Sequence, residues 1–319
     1  MVDTGDGVPL RLIVGTQHFE LSEQMGNRED FLKLKSLLDG HHTRADIVRK
    51  IGLSGAAVDR IVGSFEAAGL LRRESEVEHI PAPDFAEQVG RSLDMWRRQI
   101  GFHRLFGMVE TGDARLEVLQ GLFIETYHVV SMASRHISVA IAHAESDAAC
   151  AALSKYLAEE YDHAPMLFEC CVGLGVDASR LSAAHPTVGS LSLVNMLAEI
   201  GRRDTLAYCA ATSLFESAPG DFRNGSSAAD NIRSAYGLDT AALSPALEHL
   251  RLDRESDHSS LFEEAIAHYE TIPAPRAHNI VNMLHDLKHS YDTHHDEIVK
   301  YYGDISNYIP RPKVDYFSL

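Results

Sequence analysis

The stretch LEVLQGLFIETYHVVSMASRHISVAIAHA, residues 116–144, decides how this sequence folds. Apolar residues recur in it at intervals of three and four, which is the period of an α-helix with one buried face. The same period returns in 148–174, 189–216, 241–269 and 276–302, whereas the alternation typical of β-strands is scarce. The sequence therefore predicts a mainly α fold in which residues 85–319 form a helical bundle.

The segment 1–78 is predicted to be a separate small domain. Two short strands, Leu10–Val14 and His18–Leu21, precede three helices that are separated by clear turn signals. These signals are Asp39-Gly40 after the first helix, Thr43 as the cap of the second, Gly52-Leu53-Ser54 as the turn into the third, and Gly69 at its end. The pattern is typical of a winged helix-turn-helix domain, and the charged, proline-containing run Arg72–Asp84 is its linker to the bundle.

The segment LLDGHHTRADIVRKIGLSGAAVDRIVGSFEAAGLLRR (37–73) is similar to two kinds of domain: DNA-binding winged helices, and domains that recognise the leader peptides of modified ribosomal peptides. Residues 1–80 hold ten Lys or Arg against thirteen Asp or Glu, and Arg60 is the only basic residue of the third helix. A DNA reader needs several cationic phosphate contacts. Peptide or protein docking is therefore favoured over DNA binding, and a purely structural cap is the third alternative.

The composition indicates which partners, cysteine states and cellular location to expect. The chain has 319 residues and a formal net charge of −17, so nucleic acid is an unfavourable partner. Its four cysteines lie in helix-like apolar segments, which indicates buried thiols rather than disulfides. Neither a signal peptide at Met1–Val14 nor a long apolar run is recognisable, and we expect a cytoplasmic protein without membrane contact. A homodimer is a compatible assembly.

Glu-x-x-His pairs occur in three of the predicted helices. Residues three apart share one face of a helix, so each pair offers a carboxylate oxygen and an imidazole nitrogen to the same point in space. Carboxylate-bridged di-iron sites use this unit. A fourth pair, Glu76/His79, lies in the linker and is attributed to chance. The three pairs in the bundle are Glu125/His128, Glu160/His163 and Glu255/His258.

Helical periodicity predicts which histidines face the core. If 247–269 is one helix, His258 lies at the centre of its apolar stripe and Glu255 lies about 60° away, so both enter the core. The same calculation points His249 and Asp253 outward. The histidines of the last predicted helix are expected at the surface, and they include His285, His289, His294 and His295.

The middle pair contains a break. Pro165 has no amide hydrogen and cannot continue a helix, so the chain is expected to kink or restart between Glu160 and Pro165. Glu159 and Glu160 flank the direction of His163 almost symmetrically, which leaves the choice between them open. Residues Glu125 and His128 lie in a strongly apolar helix and are expected to be buried on all sides.

The segment from about residue 100 to 302 resembles the heme-oxygenase-like di-iron oxidases and oxygenases, relatives of the TenA and PqqC folds. Its opening, HRLFGMVETGDARLEVLQGLFIETYHVV (103–130), is similar to the first core helix of that family, and Glu125 and His128 match its ligands. The segment EEYDHAPMLFECCVGLG (159–175) is similar to the next ligand segment. This match favours Glu160 over Glu159 and keeps His163.

The third core helix of the family reads His-x-x-x-Asp-x-x-His. In RLDRESDHSSLF (251–262), Glu255 and His258 match the last two ligands, while Arg251 stands at the first position, where it cannot bind a metal. The resemblance implies a heme-oxygenase-like bundle that holds two Fe(II) ions and uses O₂ as a co-substrate. His128 would then supply the imidazole that Arg251 cannot.

The resemblance implies that the protein oxidises a small molecule or a peptide. Together with a peptide-recognising N-terminal domain, it predicts a tailoring oxygenase that acts on a precursor peptide or an amino acid in natural-product biosynthesis. Tyr127 and Arg251 are the candidate catalytic residues. Tyr127, like Tyr161, would donate a hydrogen bond or an electron beside the ligands, and an inward Arg251 would hold a substrate carboxylate.

Three alternatives stay open at this point. A metal-independent enzyme of the TenA or PqqC kind would leave the Glu-x-x-His pairs unused, with Cys170 or Cys171 as a conceivable nucleophile. A regulator would bind DNA through the winged helix and sense metal or oxygen through the bundle. A ferritin-like bundle also uses Glu-x-x-His, but normally combines two such pairs with two lone glutamates.

Overall fold

The computed structural model describes residues 11–14, 17–20, 28–68, 70–71, 77–215, 225–255, 260–315 and 317. Within these ranges the description of side chains omits 11–20, 28, 215, 225–226, 253–255 and 260. The chain forms two compact units, Met1–Glu78 and His79–Leu319. The second unit begins before the expected residue 85, because residues 79–81 form a strand that pairs within it.

The first unit consists of an antiparallel strand pair followed by three helices. The strands are β1 (Arg11–Val14) and β2 (Gln17–Glu20), and the helices are α1 (Arg28–Leu37), α2 (Arg44–Ile51) and α3 (Gly55–Ala67). Their small core contains Leu34, Ile47 and Val58, with the rings of Phe31 and Phe65 packed edge to face beside it. These are the elements expected from the sequence, while their assignment to a winged helix-turn-helix stays a prediction.

Local side-chain hydrogen bonds set the turn between α2 and α3. Thr43 and Asp46 form a capping box at the start of α2, and Gly52 ends this helix with a left-handed backbone at φ 75°. Ser54 then caps α3 by accepting a hydrogen bond from the amide of Ala57. Each of these contacts spans at most four residues, so the sequence alone specifies this turn.

The second unit is a helical bundle that also contains a short antiparallel strand pair, β3 (His79–Pro81) with β4 (Thr271–Pro273). Its helices, in chain order, are α4 (Ala82–Gly101), α5 (Arg104–Thr111), α6 (Leu116–Ser131), α7 (Ala133–Ala142), α8 (Asp147–Glu160), α9 (Ala164–Gly173), α10 (Ala178–Ser182), α11 (Val188–Arg203), α12 (Thr205–Phe215), α13 (Gly225–Tyr236), α14 (Ser244–Glu255), α15 (Ser260–Ile266) and α16 (Ala274–Gly303). The mainly α fold predicted from the sequence is confirmed.

Several stretches that read as one helix in the sequence are two helices in the structure. The stretch 116–144 is divided between α6 and α7 near Met132, and Pro165 lies in the first turn of α9, which restarts after α8 as expected. The stretch 241–269 is divided between α14 and α15. This last division matters for the candidate site, because the helical phase of one element does not carry over to the next.

Two connected groups of apolar side chains form the core of the bundle. One lies around α4, α7, α11, α12 and α16, and the other lies around α5, α6, α9 and α14. Helix α11 packs against α7 and α16, and α6 packs against α9 and α16. Helix α16 contributes to both groups, with Leu284 in the first and Tyr302 in the second. Among the described residues, no helix is long and apolar enough to cross a bilayer.

Candidate metal centre and cavity

Glu160 and His163 lie at the junction between α8 and α9. Glu160 is the last residue of α8 and His163 precedes the first turn of α9, so the pair spans the break instead of lying on one helix. Both side chains are nonetheless buried, and Glu160 Oε2 lies 3.3 Å from His163 Nδ1. Glu159 is partly exposed and faces Lys155 at 3.6 Å. Of the two adjacent glutamates, Glu160 is therefore the one whose carboxylate faces inward.

His249 of α14 joins this pair. Its side chain is buried, and its ring meets the ring of His163 edge to face with the centroids 5.0 Å apart. The prediction that His249 points outward is wrong. It treated 247–269 as one helix, whereas His249 belongs to α14 alone and sits where α14 packs against α9.

Arg251, on the same helix, lies at the surface. Its side chain is half exposed, and its guanidinium makes a two-pronged ion pair with Glu248 one turn earlier. This position does not agree with the catalytic role that the sequence suggested for Arg251, because an exposed guanidinium cannot hold a substrate inside the bundle. The side chains of Asp253 and Glu255, and the whole of His258, lie outside the described residues, and Glu255 and His258 stay predicted ligands.

Glu160, His163 and His249 have the chemistry that iron requires. A carboxylate and two imidazoles are the ligand types of non-heme Fe(II) sites, and all three side chains are buried. Within the described residues, no group of three or more His, Cys, Asp or Glu side chains is arranged so that it could hold a metal ion by itself. The donor types therefore match those of an iron site, although the described residues alone do not form one.

A cavity of about 290 Å³ lies beside these residues, between α6, α11, α14 and α16. Its walls are mainly aliphatic and aromatic, and include Leu122, Leu193 and Leu243. No lysine or arginine is found among its described lining residues. The polar side chains on its wall are Thr126, His136, Tyr156, Glu160, His249, Tyr291, His294 and His295. The cavity is thus suited to an apolar group that meets a few imidazoles and one carboxylate.

The histidines on the α16 side of the cavity correct another expectation. His294 and His295 are buried, whereas His285 and His289 are exposed as predicted. Burial lowers the pKa of His294 to about 4 and that of His295 well below its usual value. His136 is also buried, and its Nδ1 lies 2.7 Å from the hydroxyl of Tyr208. The imidazoles of His294 and His295 on the cavity wall are therefore neutral at pH 7.

A signal for the two buried α16 histidines was present in the sequence. Ile280, Leu284, Leu287, Ile298 and Tyr302 are buried on this helix at the three- and four-residue spacing of one face. Positions 294 and 295 continue that spacing. The density of polar residues around them concealed the pattern.

Glu125 does not reach the cavity. Its carboxylate is fully buried and accepts four hydrogen bonds, from the amide and hydroxyl of Thr187, the hydroxyl of Ser190 and the hydroxyl of Tyr302. Thr187 and Ser190 lie at the N-terminus of α11, where free amides and the helix dipole favour an anion. Both carboxylate oxygens are thus already used by protein donors.

His128 and Tyr127 also lie away from the cavity wall. The pKa of His128 is lowered to about 4 by burial, and then by the nearby His185 and Lys313. Tyr127 packs its ring edge to face against Phe168, with the centroids 5.6 Å apart, and burial raises its pKa. Tyr161 is 79% exposed. The cavity wall, which includes Glu160, therefore includes neither Glu125, His128 nor the two tyrosines.

The four cysteines are all unpaired, as expected, although Cys150 is only partly buried. Two of them, Cys170 and Cys171, are poor nucleophiles. Cys170 and Cys171 are buried in α9, and burial raises the pKa of Cys170 to about 12 and that of Cys171 further. A thiol with such a pKa carries almost no thiolate at neutral pH.

Comparison with known structures defines the class of the bundle. The chain is similar to a domain of unknown function with a heme oxygenase-like fold from Shewanella denitrificans, at 15% identity and a TM-score of 0.54, over 72% of this chain and 98% of that one. It is also similar to a TenA homologue from Pseudomonas syringae pv. tomato, at 12% identity and a TM-score of 0.53, over 69% and 94% of the two chains. The fold is therefore heme-oxygenase-like, as the sequence resemblance implied.

The family follows from the sequence. Residues 120–289, more than half of the chain, match the family described as "Iron-containing redox enzyme". The chain belongs to this family, which places it among the oxidoreductases. No curated protein matches it in a sequence comparison.

Proposed function

We propose that this protein is a non-heme iron oxidase or oxygenase that uses O₂ to oxidise an apolar group held in the cavity of the bundle. The observation that supports this most directly is the meeting of Glu160, His163 and His249 beside that cavity. Membership of a family of iron-containing redox enzymes supports the same chemistry at the level of the class.

Glu160, His163 and His249 would hold Fe(II), together with the predicted ligands Glu255 and His258. Bound Fe(II) supplies the electrons that reduce O₂. A second Fe(II), as in the di-iron proteins that the sequence resembles, is part of the proposal. The residues of the cavity wall would shield the reacting groups from water. Because this wall is mainly apolar, it also holds few side chains that could donate a proton in a competing reaction.

The apolar wall also constrains the substrate. A free amino acid would bring a carboxylate into the cavity, and the described wall offers no lysine or arginine to pair with it. An apolar side chain of a peptide brings no such charge. The cavity therefore favours a peptidyl substrate over a free amino acid, and oxidation of a precursor peptide in natural-product biosynthesis is the proposed role.

The N-terminal unit would recognise the peptide. Arg60 is the only basic residue of α3 and is exposed, and Arg44 is already paired with Asp59. Such a surface provides few phosphate contacts, which disfavours a DNA-binding regulator. An extended peptide could instead add a strand beside β1 and β2. Fluorescence anisotropy of the full chain with a labelled DNA duplex is expected to show no binding near physiological salt.

The metal-independent alternative is disfavoured by the cysteines. A reaction that begins with a thiolate needs a lowered pKa, whereas burial raises the pKa of both Cys170 and Cys171.

Anaerobic loading with Fe(II), followed by metal counting and an optical spectrum after addition of O₂, tests the proposed function. The protein is expected to retain about one iron per chain or more and to change its spectrum with O₂. Glu160→Gln is expected to lose most of the iron, and Glu159→Gln is the matched control that should keep it. A wild-type chain that retains much less than one iron would refute the proposal.

A further inference from the structure

A buried hydrogen-bonded chain links Glu125 to the cavity. Ser190 donates to Glu125 Oε2 on one side, and its oxygen lies 3.1 Å from His294 Nδ1 on the other. Tyr302 donates to Glu125 Oε1 at 2.5 Å and completes the network. All four side chains are buried, and His294 lines the cavity.

Counting hydrogens in this chain fixes the tautomer of His294. Both carboxylate oxygens of Glu125 act as acceptors, and each of its four donor groups, on Thr187, Ser190 and Tyr302, has one hydrogen to give. Ser190 has a single hydroxyl hydrogen and gives it to Glu125. Its contact with His294 must then be donated by the ring, so the hydrogen of His294 lies on Nδ1.

The other nitrogen of this ring is consequently left with its lone pair. Burial lowers the pKa of His294 to about 4, so the ring is neutral at pH 7. Nδ1 is directed to Ser190, and the ring lines the cavity, so Nε2 is the nitrogen available on the cavity side. Within the described residues, no hydrogen bond is found for His294 Nε2.

We propose that Glu125, acting through Ser190, is a positioning residue that holds His294 as a hydrogen-bond acceptor for an O–H or N–H group of the substrate. This inference rests on the proposed binding of substrate in the cavity, and it specifies the substrate further. The group that enters is apolar, as the wall requires, and carries one neutral donor, as in a phenol or an indole. The cavity should bind the same group less tightly when the group lacks its donor, because the buried acceptor on His294 would then be left without a hydrogen bond.

Two isomeric probes separate these contributions. p-Cresol and anisole have the same formula and similar size, but only p-cresol carries an O–H donor. Their affinities are measured by NMR titration of the protein as purified, for the wild type, Ser190→Ala and His294→Phe. Ser154→Ala, at an exposed helical serine whose hydroxyl bonds Cys150, is the control. Ser190→Thr retains a hydroxyl and tests for rescue.

The measured quantity is the ratio of the affinity for p-cresol to that for anisole. A general change in cavity shape would affect both affinities and leave their ratio unchanged. We expect the preference for p-cresol to fall about 3- to 10-fold in Ser190→Ala and His294→Phe and to persist in Ser154→Ala and Ser190→Thr. An unchanged ratio in both test variants would overturn the proposal. If a variant does not fold, ¹⁵N NMR of the histidine rings in the wild type decides, since a hydrogen on Nε2 of His294 would overturn it too.

A metal role for His294 gives a different result. The proposal expects His294→Phe to keep the iron content of the wild type, and loss of that iron would show that Nε2 binds metal instead. Probe binding does not require iron. A chain that binds no iron but prefers p-cresol through His294 would therefore refute the proposed function while supporting this inference.

Discussion

The ring of His249 lies edge to face against the ring of His163, with the two centroids 5.0 Å apart, although 86 positions separate the residues and they belong to different helices. This contact assigns His249 to the candidate metal centre. Arg251, two positions later, belongs to the outer surface.

This difference predicts that two nearby substitutions affect iron binding differently. His249→Leu should lower the affinity for Fe(II) by about 10-fold or more, because it removes an imidazole donor. Arg251→Leu should leave that affinity unchanged. Metal counting after equilibrium dialysis at several Fe(II) concentrations measures both. Equal iron binding in the two variants would mean that His249 is a packing residue.

Glu125 is expected to stabilise the fold through its buried hydrogen bonds and not to bind metal. Glu125→Ala leaves the buried donors of Ser190, Thr187 and Tyr302 without their acceptor, which should lower the free energy of unfolding by about 3–5 kcal/mol. Urea denaturation measures this loss. The matched control is Glu117→Ala on the same helix, whose exposed pair with Arg115 contributes little. If the folded Glu125→Ala variant lost its iron, Glu125 would have to be a metal ligand.

The close approach of α6 and α16 predicts a strong contrast between two glycines. A Cβ on Gly121 would clash with the ring of Tyr302, so Gly121→Ala should lower the free energy of unfolding by about 1–3 kcal/mol. Gly90, in α4, has open space around it, and Gly90→Ala should raise the same free energy by about 1 kcal/mol through helix propensity. Thermal or urea unfolding compares them. An unchanged free energy of unfolding in Gly121→Ala would contradict the close contact between Gly121 and Tyr302.

The buried neutral histidines predict a loss of stability in mild acid. The folded-state pKa values of His128, His136 and His294 are about 4, below the ordinary value of 6.5. Between these two values the unfolded chain binds more protons than the folded one. The free energy of unfolding should therefore fall as the pH decreases from about 6.5 towards 4, by roughly 1.4 kcal/mol per pH unit for each histidine.

His128→Leu separates this effect from metal binding. It removes one buried imidazole, so the dependence on pH should weaken by about one proton while the iron content stays constant. Urea unfolding at pH 7.5, 6.5 and 5.5 gives the slope, and His289→Leu at an exposed position is the control. A lowered iron content in His128→Leu would support the metal role that the sequence suggested.

The sequence by itself determined that the chain is mainly helical and where some of its helices begin and end. Thr43, Gly52, Ser54 and Pro165 act on the backbone within a few residues, so their effects can be read without knowing the fold. The three- and four-residue spacing of apolar side chains likewise predicted a bundle, and the motif around Glu160 and His163 indicated the candidate metal centre.

Only the tertiary structure decided which polar residues meet. Glu125 is satisfied by Thr187 and Tyr302, which come from distant parts of the chain, and His249 faces inward because α14 packs on α9. Helical phase predicts a direction only within one uninterrupted helix and relative to its own apolar stripe. It does not say which neighbour covers the edge of that stripe. Burial of a carboxylate or an imidazole is therefore a property of helix packing, and the packing placed Glu160, but neither Glu125 nor His128, on the cavity wall.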